Sequence, residues 1–125
     1  MSDSPYVLRE KTVVFSRDVI GFCKVEQSTI ITRPLIEQLL RSATSIGANY
    51  AEADNAASRS DFRNKIFIAK KEAAETKYWL GLLLDVTSNP NLCKKLLTDC
   101  HHLLMTLQKV TNTLRNRSQV TGNIP

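Results

Sequence analysis

The sequence predicts an all-α protein, an antiparallel up-down-up-down four-helix bundle, on three observations. Apolar residues recur in steps of three and four over long stretches, which keeps them on one side of a helix. Only 4 Gly and 4 Pro interrupt 125 residues, and Pro5, Pro34 and Pro90 stand where helices would begin. No segment alternates apolar and polar residues for long, and no Asn-Gly pair offers a hairpin turn.

The first helix is expected to start with Ser4 as cap and Pro5 at the first helical position, and to run to about Val25. Its apolar stripe is Leu8, Phe15, Val19 and Phe22. "EQSTIIT" is a connector, with Thr32 as the expected cap of the second helix and Pro34 in its first turn. That helix runs from about Arg33 to Ala57. At about 100° per residue, Ile36, Leu39, Leu40, Ala43, Ile46, Gly47 and Tyr50 share an arc of roughly 120°, the expected buried face. Arg41, Ser45, Ala48 and Glu52 fall opposite, with Asn49 beside them. In "SRSDF", Ser60 is the expected cap of the third helix, and Asp61 suits the positive end of its dipole. Phe62, Ile66, Ala69, Ala73, Thr76, Leu80 and Leu83 then form a heptad-like seam. Phe67, Ile68 and Trp79 lie off it. Asn89 is the expected cap of the fourth helix and Pro90 its first residue. Its seam is read as Leu92, Leu96, Cys100, Leu103, Leu107, Val110 and Leu114. "RSQVTGNIP" has no periodicity. The expected organisation is one domain over residues 1–117 and a flexible tail over 118–125. Short connections between long helices imply antiparallel neighbours.

Several function classes lose support. The densest apolar stretch, "YWLGLLLDV", falls well short of the roughly 20 residues of a membrane span. The N-terminus lacks the basic-then-apolar pattern of a signal peptide. A soluble cytoplasmic chain is therefore expected, with no membrane partner. Cys93 and Cys100 stand about 10 Å apart along one helix, beyond the roughly 7 Å that a disulfide spans, so buried reduced thiols are expected. His101 and His102 are adjacent and diverge by about 100°. Together with the cysteines they lack zinc-finger spacing. Glu72 and Glu75 lie one turn apart, but no Glu is followed three residues later by His, the pattern of di-iron bundles. No phosphate-binding Gly loop or nucleophile elbow occurs. The reading is a non-enzyme with no cofactor and no metal.

The net charge is +5 and unevenly placed. Residues 59–88 hold six basic against four acidic side chains, and residues 89–125 five against one. A basic C-terminal half suits a polyanion such as RNA or DNA. The candidate phosphate contacts are Arg63, Lys70, Lys71, Lys77, Lys94, Lys95 and Lys109, which would read backbone rather than bases. Few aromatic residues are free to stack, so binding is expected to be non-specific.

"RSATSIGANYAEADNAASRSDF" is a low strip along the second helix, where a neighbour's backbone can approach closely. Gly47 costs about 1 kcal/mol relative to Ala inside a helix, so its missing side chain points to packing. Asn49 and Glu52, one turn apart, need partners if buried; Arg41, Lys65 and Lys70 are candidates.

"QLLRSATSIGANYAEA" followed by "SRSDFRNKIFIAKKEAAETKYWLGLL" closely resembles the four-helix bundle family that includes proteins encoded in intervening sequences of bacterial large-subunit ribosomal RNA genes. It is also similar to accessory proteins of diversity-generating retroelements. The matching residues are Arg41, Ser42, Ser45, Ile46, Ala48, Asn49, Ala51 and Glu52, then Asp61, Phe62, Ala69 and Glu75, within a likeness that covers roughly residues 8 to 116. Gly47 stands where many members have Pro, Tyr50 where they have Ile, and Ala53 where they have Gly. The resemblance implies a homopentameric barrel of bundles. It gives Arg41, Ser45, Gly47, Asn49, Glu52 and Glu75 a part in packing or assembly. It further implies two kinds of partner, nucleic acid or a reverse transcriptase.

Overall fold

The computed structural model describes the backbone of residues 5–122 and the side chains of residues 7–117. Four helices follow in order: α1 (Pro5–Val25), α2 (Thr32–Asp54), α3 (Arg59–Leu84) and α4 (Pro90–Gly122). No strand occurs among the described residues. The helices form a four-helix bundle in which α1 touches α2 and α4, and α3 touches α2 and α4. Between α2 and α3 the ion pairs descend in register, Arg41 with Glu72 and Glu52 with Lys65, while Arg9 with Asp54 joins α1 to α2 and Asp18 with Lys95 joins α1 to α4. No described helix is long and apolar enough to cross a membrane. The expected flexible tail falls partly outside the described residues; α4 keeps its helical backbone to Gly122, past the last periodic residue.

The core follows the expected stripes of α1 and α3 closely. Leu8, Phe15, Val19 and Phe22 are buried, as are Ile66, Ala69, Ala73, Thr76, Leu80 and Leu83. In α4 the seam is displaced by one residue at each end. Cys93, Leu96, Cys100, Leu103, Leu107 and Thr111 are buried, while Leu92 is exposed and Val110 and Leu114 are only half-buried. The buried thiols and hydroxyls find carbonyls to bond. Cys93 Sγ lies 3.4 Å from the Leu80 carbonyl, and Cys100 Sγ 3.3 Å from that of Ala73. Thr12 and Thr111 donate to the carbonyls of Arg9 and Gln108 at 2.7 and 2.9 Å. Satisfied in this way, such side chains cost little to bury.

The face of α2 is also rotated from its expected position. Ser42 and Ala53 join Leu39, Ala43, Ile46 and Tyr50 in the interior, and Leu40 turns outward. The rotation is towards α3, which presents the small residues Ala69 and Thr76.

Two caps differ from expectation. Thr29, not Thr32, caps α2: its hydroxyl accepts from the backbone N–H groups of Ile31 and Thr32, at 3.2 and 3.0 Å. The Thr32 hydroxyl instead donates to the Gln27 carbonyl at 2.6 Å, which closes the connector. Ser58, not Ser60, caps α3 by accepting from Asp61 N–H at 3.0 Å. In both cases the cap sits three residues before the N–H it satisfies, the geometry such caps require. At Gly47 the nearest neighbours are side chains of α1 rather than its backbone: a Cβ placed there would meet Thr12 Oγ1 at 3.4 Å and Ser16 Oγ at 3.6 Å, ordinary contact distances that leave room for it.

Candidate nucleic-acid interface

The strip on α2 borders the seam between α2 and α3. Arg41, Ser45, Asn49 and Glu52 follow one another at helical spacing along one side of α2. At one end Arg41 reaches across to α3, where it hydrogen-bonds Glu75 and lies 3.5 Å from Glu72 Oε2. At the other end Glu52 Oε2 lies 2.8 Å from Lys65 Nζ. Lys65 is thus the partner among the three candidates, and Glu52 is 57 % exposed rather than buried. Asn49 is half-buried and donates within its own helix, to the Ser45 carbonyl at 2.9 Å and hydroxyl at 3.0 Å. Beneath the rim, Thr76 Oγ1 lies 2.9 Å from Ser42 Oγ and 2.7 Å from the Glu72 carbonyl. The Arg41 hydrogen bond holds the Glu75 carboxyl below its ordinary pKa, and the Trp79 indole, 3.3 Å away, acts in the same direction.

The basic residues divide among three faces. Arg63, Lys70 and Lys77 repeat every seven residues on α3, and Arg59 precedes Arg63 by one turn. At 100° per residue these four fall within about 40° of one another, and no acidic residue of α3 enters that arc. Lys71 flanks it and is exposed. α4 continues the surface: Lys77 Nζ lies 3.2 Å from His101 Nδ1, and the Arg115 guanidinium sits 5.4 Å from the centre of the Phe67 ring. Lys94, one heptad before His101, is exposed on the same side of α4. Lys109 is exposed farther round. Lys95 belongs elsewhere. It points to the α1 side, 2.7 Å from Asp99 and 3.9 Å from Asp18, where both carboxylates engage its ammonium. The fold thus joins Arg63, Lys70, Lys71, Lys77 and Lys94 on one side and leaves Lys95 apart.

Comparisons with known proteins establish the family. The model of the 23S rRNA-intervening sequence protein family matches residues 8–109. The chain belongs to that family. Among solved structures, the chain is similar to a protein with unknown function from the S23 ribosomal protein family of Bacteroides thetaiotaomicron. Identity is 33 % over 86 % of this chain and 97 % of that one, with a TM-score of 0.73. No curated protein matches. Of the α2 strip, Arg41 and Glu52 reach α3 of the same chain, whereas Asn49 bonds within α2.

Two members of the basic surface escape a reading by local charge, Arg59 and Arg115. Arg59 was legible as the residue one turn before Arg63. Arg115 stands fourteen residues after His101, two heptads along the same side of α4, and only the crossing of α3 and α4 shows that it covers Phe67. His101 and His102, both exposed, have ring centres 6.5 Å apart and planes tilted by 51°.

Proposed function

We propose that this chain is a non-enzymatic, cytoplasmic, oligomeric bundle that binds RNA or another nucleic acid non-specifically through the α3–α4 surface. The observation that carries this reading is the seven-residue repeat of Arg63, Lys70 and Lys77 in an arc free of acid on α3. A row of cations along a rod suits a row of phosphates and reads no bases. The descending cross-helix pairs support an antiparallel up-down-up-down order for the bundle. The family resemblance supports a homopentamer, and apolar side chains left on the outside of α1, among them Val13, Val14 and Ile20, give such an assembly surface to bury.

The test is a titration of labelled RNA at several salt concentrations, with light scattering on the same samples. With about four phosphate contacts, the logarithm of affinity should fall with the logarithm of salt at a slope near −3. Replacing Lys70 and Lys77 by Ala should flatten that slope. A salt-independent affinity would overturn the reading, and a monomeric mass would remove the pentamer.

A second reading is a protein scaffold, such as an accessory subunit for a reverse transcriptase. It is favoured by the loop end of the bundle, where Val25, Ile30, Ile31 and Val86 are exposed, Ile30 by 88 %. Co-purification with a reverse transcriptase that is lost on Ile30→Asp would favour it over direct RNA binding.

A further inference from the structure

The basic surface carries one large aromatic ring that the bundle does not use. Tyr78 is 59 % exposed, and it lies on the flank of the arc occupied by Lys71, one turn beyond Ala74. Lys70, Lys71 and Ala74 line a shallow hollow with Phe67 and Ile68. From Arg63 to Tyr78 the surface extends about 23 Å at 1.5 Å per residue, the length of roughly seven stacked nucleotides at 3.4 Å each.

The Tyr78 ring is held rather than loose. It meets Trp79 edge to face, with centres 5.0 Å apart and planes at 72°. Trp79 Nε1 donates to Glu75 Oε1 at 3.3 Å, and Glu75 is gripped by Arg41. Glu75, one turn before Tyr78, shares the Arg41 guanidinium with Glu72, and Lys71 and Lys77 stand beside the ring on the same helix. An oriented aromatic face next to phosphate-sized cations is what a splayed base requires, because every base has a π-face and stacking tolerates any sequence. A duplex keeps its bases paired and stacked inside, and gains nothing from such a ring.

We propose that this surface selects single-stranded RNA, with an unpaired base stacked on Tyr78 and the adjoining phosphates on Lys70, Lys71 and Lys77. This rests on the nucleic-acid reading above and adds to it a choice of strand state and a positioning role for Arg41.

The experiment is fluorescence anisotropy with a labelled twenty-nucleotide uridine RNA, the same strand paired with an adenosine complement, and a thymidine DNA of equal length. Trp79, the single tryptophan, supplies an independent signal, since a base stacked on its neighbour should quench it. The RNA single strand should bind about tenfold or more tightly than the duplex. Tyr78→Ala should lose about tenfold on the single strand and nothing on the duplex, whereas Tyr78→Phe should retain the wild-type value. Because Tyr78 is largely exposed, its melting temperature serves as the control for folding. Equal affinity for strand and duplex, or an unaffected Tyr78→Ala, would overturn the proposal while leaving non-specific binding intact. A thymidine strand that binds more tightly than uridine would overturn the choice of RNA. Absence of binding to all three would overturn both readings together.

Discussion

The seam between α2 and α3 and the seam between α1 and α4 are built from opposite materials. Between α2 and α3 the fully buried side chains include Ser42, Ala43, Ala69 and Thr76, and this is the most extensive helix contact in the bundle. Small residues bring the axes close, and only then can short hydroxyls reach each other, as Ser42 and Thr76 do at 2.9 Å. Ion pairs close the border, Glu52 with Lys65 at one end and Arg41 with Glu72 and Glu75 at the other. Between α1 and α4 the contact is the slightest of the four. Phe15 and Leu103 are buried there, yet a cleft of about 480 Å³ opens beside them, lined also by Val7, Val14 and Thr106. Its rim pair, Asp18 with Lys95, is loose at 3.9 Å. Close packing with polar cross-links sets the register of one pair, while bulky side chains hold the other apart.

The strongest way to break this comparison is to enlarge a small residue on the tight side. Ala69 lies on the α3 face between Lys65 and Glu72, both of which reach α2, and it is fully buried. Ala69→Leu should cost about 3 kcal/mol through overpacking, read as a lower midpoint in urea denaturation. Wild-type stability would mean that the seam has room and that its small residues do not set the approach.

A finer test removes one hydroxyl and keeps the shape. Thr76→Val leaves Ser42 with the Leu39 carbonyl, 3.3 Å away, as its partner. The loss should be about 1 kcal/mol, the usual worth of one buried hydrogen bond, and Thr76→Ser should recover most of it. If Thr76→Val is as stable as wild type, the hydroxyl pair contributes nothing and packing alone holds the seam.

These two positions also show how far the sequence could be read. Periodicity placed Ala69 and Thr76 on the α3 seam, because a seven-residue repeat survives whatever lies opposite. It placed the α2 arc too far towards Leu40, because the rotation of a helix depends on its neighbour's side-chain height, which no single helix encodes. The α4 seam slipped for a related reason. Leu92 and Val110 are more apolar than Cys93 and Thr111, but only a partner carbonyl such as Leu80's makes the thiol cheap to bury. The site divided in the same way. Arg63, Lys70 and Lys77 were picked out by the charge of the C-terminal half, and their seven-residue spacing puts them on one side of α3, whereas Lys95, chosen with them, is held by Asp99 one turn along α4 on the side that faces α1.

The cysteines sharpen the contrast through pH. Burial pushes Cys100, packed on α3, up to about 12 and Cys93 up to about 11; burial likewise raises Cys23, on α1, to about 11. Raised folded values mean that the native state holds thiol protons more tightly than the unfolded chain does. Their contribution is complete below pH 9, the ordinary value, and is lost as pH climbs from 9 towards 11 and 12. The melting temperature should therefore fall across that window, and less steeply in Cys100→Ala than in wild type. Identical slopes would remove Cys100 from the account. At pH 8 a maleimide should reach half-buried Cys23 first, since Cys93 and Cys100 react only when the seam opens.

The smallest expected effect belongs to the open side. Val14 is 52 % exposed on the wall of the cleft, where an added methylene meets space rather than a packed neighbour. Val14→Leu should leave stability within about 0.5 kcal/mol of wild type, against a loss several times larger for the Leu substitution at Ala69. Leu also carries a better helix propensity than Val, worth a few tenths of a kcal/mol, so a slight gain is the favoured sign. A loss of 2 kcal/mol or more in denaturant would mean that the cleft closes in solution. The two seams would then be equally tight, and the difference drawn between them would disappear.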